Sequence, residues 1–194
     1  MTTTTQDQRT GKSVRERLLA AADELFYSQG VASTGVDAVI ERAGVATGSL
    51  YKNFAGKDGL VVAYLHARDA RWRSLWEDCI GEHTDPVDRV LAIFTAMERW
   101  SVDPLASRGC AHLAVIVQLP HGHPGIQAAA DHKDHLRARL TELCTATSAT
   151  DPADLTDDLL LIYEGTQNTL ALSLDPDSIG RGRRLAQRRL RPSV

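Results

Sequence analysis

The chain has 194 residues, 43% of them apolar and 24% charged, with a formal net charge of −3. This is the composition of a folded globular chain with enough length for one or two small cores, and it excludes a disordered polyelectrolyte. No apolar run reaches the roughly 18 residues that a membrane-spanning helix needs. The polar, Thr-rich start from Met1 to Lys12 lacks a secretory apolar stretch, so the expected location is the cytoplasm.

Ser13 with Glu16 three residues on is a capping box that opens a first helix. Its Leu18, Ala21, Ala22, Leu25 and Phe26 recur at helical spacing, and Gly30 stops it. A second helix starts near Thr34, turns Val36, Val39 and Ile40 inward, and ends before Gly44. A very short third runs from about Thr47 to Phe54. Gly56 and Asp58 suit the start of a fourth, from Lys57 to about Ile80. At 1.5 Å per residue that helix is roughly 35 Å long, enough to leave one domain and enter another.

Asp85-Pro86 caps the next helix. Pro104 to Leu119 reads as a broken apolar segment, His121 to Gly125 as a turn, and Ile126 to Leu143 as a further apolar stripe. Asp151-Pro152 opens a helix that carries Leu155, Leu159, Ile162, Tyr163, Thr166 and Leu170. Asp175-Pro176-Asp177 breaks the chain before an Arg-rich last helix, which Gly180 and Gly182 weaken at its start. There is no strand alternation and no repeat. The fold class is all-α with about nine helices. Residues 1–56 form an N-terminal domain of three helices, and 57–194 form a C-terminal helical bundle, with helix 57–80 linking the two.

Charge divides unevenly along the chain. Up to Arg73 there are ten Lys and Arg against eight acids, and beyond it twelve against seventeen. A basic first part suits a polyanion partner. The cysteines, Cys79, Cys110 and Cys144, are odd in number and include no C-x-x-C pair, which argues against a disulfide framework and a zinc ribbon.

The most informative stretch is Val36 to Leu60, VDAVIERAGVATGSLYKNFAGKDGL. It reads as two short helices around a tight reversal. Ala43 is small enough for close helix approach, Gly44 supplies the left-handed turn, and Val45 plugs it into the core. The following helix is polar on one face at Thr47, Ser49, Lys52 and Asn53, while Leu50 and Phe54, four apart, point inward. This is a helix-turn-helix layout, whose second helix enters the major groove of DNA. Lys57 and the amides at the start of the fourth helix are placed to meet a phosphate.

The same residues resemble the DNA-binding domain of the TetR/AcrR family of transcriptional regulators. Ala43-Gly44-Val45 matches the end of that family's second helix, and Gly48-Ser49-Leu50-Tyr51 matches its recognition-helix core. Phe54, two spacers, Lys57, Asp58 and Leu60 match the segment after it. The likeness spans about Arg15 to Tyr64. A weaker likeness to the family's effector domain covers Arg108-Gly109-Cys110, Pro120 and His123-Pro124. Asn53 departs from the His or Tyr frequent there, and Asn pairs with adenine in a bidentate way.

The resemblance implies a role for each matched position. Thr34 at the second helix's N-cap contacts phosphate, and Thr47, Gly48, Ser49, Lys52 and Asn53 belong to the face in the groove. Tyr51 packs its ring and gives its hydroxyl to a phosphate, Lys57 anchors the backbone, and Arg9, Lys12 and Arg15 add arm contacts. It also implies a homodimer on a palindromic operator in double-stranded DNA. The dimer is made by about Thr156 to Leu174 and Ser178 to Arg191, with Leu159, Ile162, Tyr163, Thr166 and Leu170 as the interface stripe or, equally, as core. The Arg-rich last helix frays or pairs with Asp154, Asp157 and Asp158.

A small-molecule effector pocket in the bundle is implied as well. Trp72, Trp76, Trp100 and Tyr163 are candidates for its walls, with His112, Gln118 and Gln167 as polar groups, the usual mix for a small ligand. The expected function is a repressor released by an apolar or aromatic effector, with no catalytic residue, no cofactor and no membrane partner. Three alternatives stand beside it. One is a metal sensor using His121, His123, His132, His135 and Cys110. Another is a redox sensor using a cysteine, with Arg108 beside Cys110 as its hint. The third, of a different class, is a helical enzyme, although no phosphate loop, nucleophile elbow or H-E-x-x-H motif is present.

Overall fold

A computed structural model describes residues 11–103 and 109–191. Arg9, Arg108 and the start of the 104–119 segment lie outside the described residues. The described residues form nine helices and no strand. In chain order these are α1 (Val14–Gln29), α2 (Val36–Ala43), α3 (Thr47–Phe54), α4 (Lys57–Gly81), α5 (Pro86–Ser101), α6 (Ala111–Ile116), α7 (Pro124–Thr145), α8 (Pro152–Ala171) and α9 (Ser178–Leu190). No helix among them is long and apolar enough to cross a membrane.

The chain divides into two compact units, and the division falls inside α4, at Arg68 rather than at Lys57. The first unit also takes in His112–Ala129, a segment that the sequence assigned to the bundle.

In this first unit, α1 begins at the expected capping box. The Ser13 hydroxyl accepts from the Glu16 N–H, and the Glu16 carboxylate accepts from the Ser13 N–H at 2.7 Å. Leu18, Val39, Leu50, Leu60, Val61 and Leu65 are fully buried and form a shared core. Phe26 meets Tyr64 edge to face at 5.6 Å between ring centres. A buried ion pair lies beside them. Arg68 donates to Asp23 at 2.8 Å and stacks its guanidinium 4.4 Å from the centre of the Tyr27 ring. Burial of two opposite charges is tolerable only when they satisfy each other. Nothing in the helical spacing singles out that pair, 45 residues apart.

The second unit packs α5 and α9 together and α8 against α9. Its core includes Trp76, Leu91, Phe94, Leu136, Leu140, Leu155 and Leu159, all nearly inaccessible. The glycines that weaken α9 have a packing reason. A Cβ on Gly182 would stand 2.1 Å from the Thr166 hydroxyl and 3.0 Å from Phe94, so only glycine lets α9 approach so closely. The Arg-rich helix is tied down by acids. Arg189 reaches Asp154 at 2.6 Å and Asp158 at 2.5 Å, Arg184 reaches Asp177, and Arg183 donates to the Thr95 hydroxyl.

Candidate nucleic-acid interface

The turn between α2 and α3 is built from backbone chemistry. Gly44 sits at φ 63°, ψ 46°, and its N–H bonds back to the carbonyls of Ile40 and Glu41, which closes α2. Arg17, reaching across from α1, donates to the Gly44 carbonyl at 3.2 Å and fixes the reversal. The far end of α3 closes the same way at Ala55, which takes φ 57° without being glycine. Just beyond, Gly59 has a steric reason to be glycine, because a Cβ there would fall 1.8 Å from the Phe54 carbonyl oxygen.

The two faces of α3 are sharply divided. Leu50 and Phe54 are buried, whereas Thr47, Gly48, Tyr51 and Lys52 are exposed, with 55% of Tyr51 open to solvent. Ser49 and Asn53 are half-buried on the edge of the outward face. The Asn53 amide donates to the Ser49 carbonyl at 2.7 Å, which fixes its rotamer and leaves its Oδ1 facing away from that bond. Lys57 begins α4 and is half-buried. Lys12 and Arg15 are exposed, and Arg15 lies 5.1 Å over the Phe54 ring.

Thr34 is a correction. The N-cap of α2 is Gly35, and Thr34 is 1% exposed, with its hydroxyl donating to the Gly30 carbonyl at 2.7 Å. It closes the end of α1 and does not point outward.

The sequence reading missed the contacts that α6 and the turn after it make within this unit. His112 donates from Nε2 to the Leu65 carbonyl at 3.2 Å. Gln118 accepts from the Ala32 N–H through Oε1 and donates to the Ala114 carbonyl through Nε2. The Gly125 N–H donates to His123 Nδ1, so Nε2 carries the hydrogen that faces Asp58 at 3.2 Å. His112 and Gln118 therefore do structural work in the first unit. The His-Gly-His spacing suggested a metal pair but did not reveal that His123 ties down the residue next to Lys57.

In the second unit the aromatic candidates do come together. Trp72 meets Trp100 edge to face at 5.7 Å and lies 6.0 Å from the Tyr163 ring. Trp76 is 1% exposed and belongs to the core, and the indole N–H groups of Trp72 and Trp76 have no acceptor among the described residues. Burial pushes the Tyr163 hydroxyl well above its ordinary range. Gln167 is half-buried on α8.

Of the two readings of the α8 stripe, interface or core, burial within the chain favours core at three positions. Leu159, Tyr163 and Thr166 are buried in the core of their own chain, and Ile162 and Leu170 are half-buried. The outward line of α8 is Leu161, Gly165 and Asn168, continued by the C-cap Leu172, all exposed, with Leu161 74% open.

A further cluster joins α4 and α7. His132 on α7 bonds through Nδ1 to Asp69 Oδ1 at 2.6 Å, and Asp69 Oδ2 bonds to Arg73 at 2.5 Å. Burial alone would raise the Asp69 carboxyl, but the hydrogen bonds from His132 and Arg73 outweigh it and hold the group down at about 2. Burial likewise opposes charge on His132, and its bonds to Asp69 and Cys110 prevail and raise it.

Comparison with known proteins agrees with this geometry. A family model described as bacterial regulatory proteins, tetR family, matches residues 18–64. Among curated proteins, the transcriptional regulator LmrA of Bacillus subtilis is 35% identical over 79 residues, which span 40% of this chain and 42% of that one. YjdC of Escherichia coli, also a transcriptional regulator, is 26% identical over 91% of this chain and 93% of its own length. Among solved structures, a putative TetR transcriptional regulator from Streptomyces avermitilis is 30% identical, with a TM-score of 0.73, over 91% of this chain and 99% of that one. A TetR-family regulator from Streptomyces coelicolor superposes with a TM-score of 0.86 at 27% identity, over 95% of this chain and 91% of that one.

Proposed function

This chain belongs to the TetR family of bacterial regulatory proteins, and on that premise we propose that it is a homodimeric repressor of a palindromic operator, released by a small apolar or aromatic effector. The observation that carries this reading is the division of α3, a helix anchored by Leu50 and Phe54 whose opposite face is polar and exposed. Thr47, Ser49, Lys52 and Asn53 meet base edges in the major groove. Gly48 lets the backbone come close to the duplex, and Tyr51 and Lys57 hold phosphates. Thr34 has no part in the contact.

One helix of eight residues offers few contacts, and a two-fold pair reads half-sites about 34–36 Å apart, or a multiple of that. The exposed line of Leu161, Gly165 and Asn168 on α8, with its C-cap Leu172, supports pairing of two copies. The four recur at helical spacing, and a Cβ on Gly165 would meet nothing within 4 Å, so a partner helix has room to lie across it. The effector lodges against Trp72, Trp100 and Tyr163, where the buried Trp72 indole N–H has no acceptor among the described residues. It must bind the DNA-incompatible dimer more tightly than the competent one, and a coupling of about 1–3 kcal/mol suffices for a 5–150-fold loss of operator affinity.

Selection of bound duplexes from a random pool by the purified protein tests this reading. The expected product is a palindrome with two half-sites. Recovery of no enriched sequence at low ionic strength overturns it.

A further inference from the structure

The three thiols of the chain occupy different surroundings. Cys79 and Cys144 are fully buried, and burial raises both above the ordinary thiol range. Neither is accessible to a reagent. Cys110 is partly exposed, and its position is fixed by the residue before it. Gly109 takes φ +80° against α8, where a Cβ would stand 2.7 Å from the Ala171 Cβ.

The Cys110 sulfur lies within 4.8 Å of a ring nitrogen of His132 and hydrogen-bonds to that ring. The other side of the ring is held by the buried Asp69, which is itself anchored by Arg73. Because Nδ1 gives its hydrogen to Asp69, Nε2 is the nitrogen left for the thiol. A thiol, an imidazole that accepts its proton and a carboxylate that orients the imidazole are the parts of an activated sulfur nucleophile. In a DNA-binding protein with no reaction of its own to catalyse, such a nucleophile can act as a receptor.

Its neighbours indicate what it receives. Tyr163 is close enough for a Cys110 thiolate to oppose ionisation of its hydroxyl. Tyr163 continues into Trp72 and Trp100 as one aromatic cluster, and the Trp72 indole N–H there is buried with no acceptor among the described residues. An aromatic wall suits a flat conjugated molecule, and an orphaned N–H suits a carbonyl oxygen.

We propose that Cys110 is a covalent sensing site for α,β-unsaturated carbonyl compounds, with His132 as the base that takes the thiol proton and Asp69 as the positioning residue behind it. The proposal rests on the effector reading above and gives that effector a chemical class. In the reaction, His132 Nε2 accepts the proton from the Cys110 sulfur. The sulfur lone pair forms a C–S bond to the β-carbon of the electrophile. The C=C electron pair moves to the α-carbon and carbonyl as an enolate, which takes the proton back from His132. The product is a thioether and a saturated carbonyl. All atoms of both reactants remain in it, and no oxidant or reductant is consumed.

The chain carries the consequence onward. Cys110 immediately precedes α6, and from His112 on this segment is bonded to the DNA-reading unit through Leu65, Ala32 and Asp58. A new group on Cys110 displaces the start of that segment.

The test uses the full-length protein with trans-cinnamaldehyde as the probe. Adduct formation is followed by intact mass and peptide mapping, and operator binding by fluorescence anisotropy on the duplex found by selection. One adduct per chain is expected at Cys110, forming about tenfold or more faster at neutral pH than with N-acetylcysteine. Operator release should follow with the same time course. Cys110→Ser should abolish both adduct and release. His132→Gln should slow the reaction by about tenfold or more. Asp69→Asn should move the pH profile of iodoacetamide alkylation up toward that of an ordinary thiol, a shift that a purely structural carboxylate would not cause.

The wild-type rate relative to N-acetylcysteine decides the matter even if a variant misfolds. A rate no faster than the free thiol, labelling at Cys79 or Cys144 instead, or an adduct that leaves the operator bound each overturns the proposal. Failure of the untreated protein to bind any duplex is a separate result. It removes the DNA-binding reading, while the thiol rate still reports on the site.

Discussion

The DNA-reading unit and the bundle use their polar side chains in opposite ways. On α3, Thr47, Tyr51 and Lys52 are left exposed on a helix whose other side is buried. In the bundle, polar groups are matched to one another: Asp69 to His132 and Arg73, Arg139 to Glu77, Lys133 to Glu164, and Arg189 to Asp154 and Asp158. A polar face that is not satisfied within its own chain is kept for a partner, and one that is satisfied internally holds an element in place. The difference explains why a short helix with weak propensity identifies function while an arginine-rich one does not.

Substitutions can break this contrast in order of size. Leu50→Ala removes the fully buried anchor of α3 and should cost about 2–5 kcal/mol in urea unfolding, with DNA binding lost in step. A neutral result would mean that α3 is not held by its inner face. Gly182→Ala in the bundle should cost about 1–3 kcal/mol, because the new methyl meets Thr166 and Phe94. Calorimetry of that variant should show lower stability.

A subtler effect belongs to pH. Asp69 is depressed to about 2, so its contribution to stability is present above the ordinary carboxylate range near 4 and is lost as pH falls toward 2. His132 is raised, so its contribution is full below the ordinary imidazole value near 6.5 and is lost as pH climbs through its folded value. The stability of the wild type relative to His132→Gln should therefore be greatest between about pH 4 and 6.5. Urea midpoints across that range check it, and a flat difference would show that the buried pair is not linked to folding.

On the outward face the expected losses are in binding alone. Lys57→Ala should leave stability within about 0.5 kcal/mol. It should lower the slope of log affinity against log salt by about one, the signature of one lost phosphate contact. Gly48→Ala sharpens the contrast most. A Cβ there meets nothing within 4 Å, so the helix should gain up to ~1 kcal/mol while operator affinity falls. A variant that is more stable and binds equally well would mean that the backbone at Gly48 does not approach the duplex.

Much of this was legible because the signals are local. The capping box at Ser13, the left-handed Gly44 and the i, i+4 pair of Leu50 and Phe54 each lie within one turn or one helix. So do the Asp-Pro starts of α5 and α8. Thr34 misled because Thr and Gly are both acceptable helix caps, and only packing against the end of α1 decided between Thr34 and Gly35. The α8 stripe stayed open between interface and core because an apolar line at helical spacing looks the same whether its neighbour is α9 of the same chain or a second copy.

The sequence alone determined the helices, the reversal at Gly44 and which side of α3 turns inward, since these depend on backbone preferences and spacings of three or four residues. Only tertiary structure decided that Arg68 finds Asp23, that His112–Ala129 joins the DNA-reading unit, and that Asp69, His132 and Cys110 meet. The physical reason is range. A helix repeats every 3.6 residues, but contacts between side chains as far apart as 45 and 63 positions depend on how helices pack, and no periodicity along the chain encodes that.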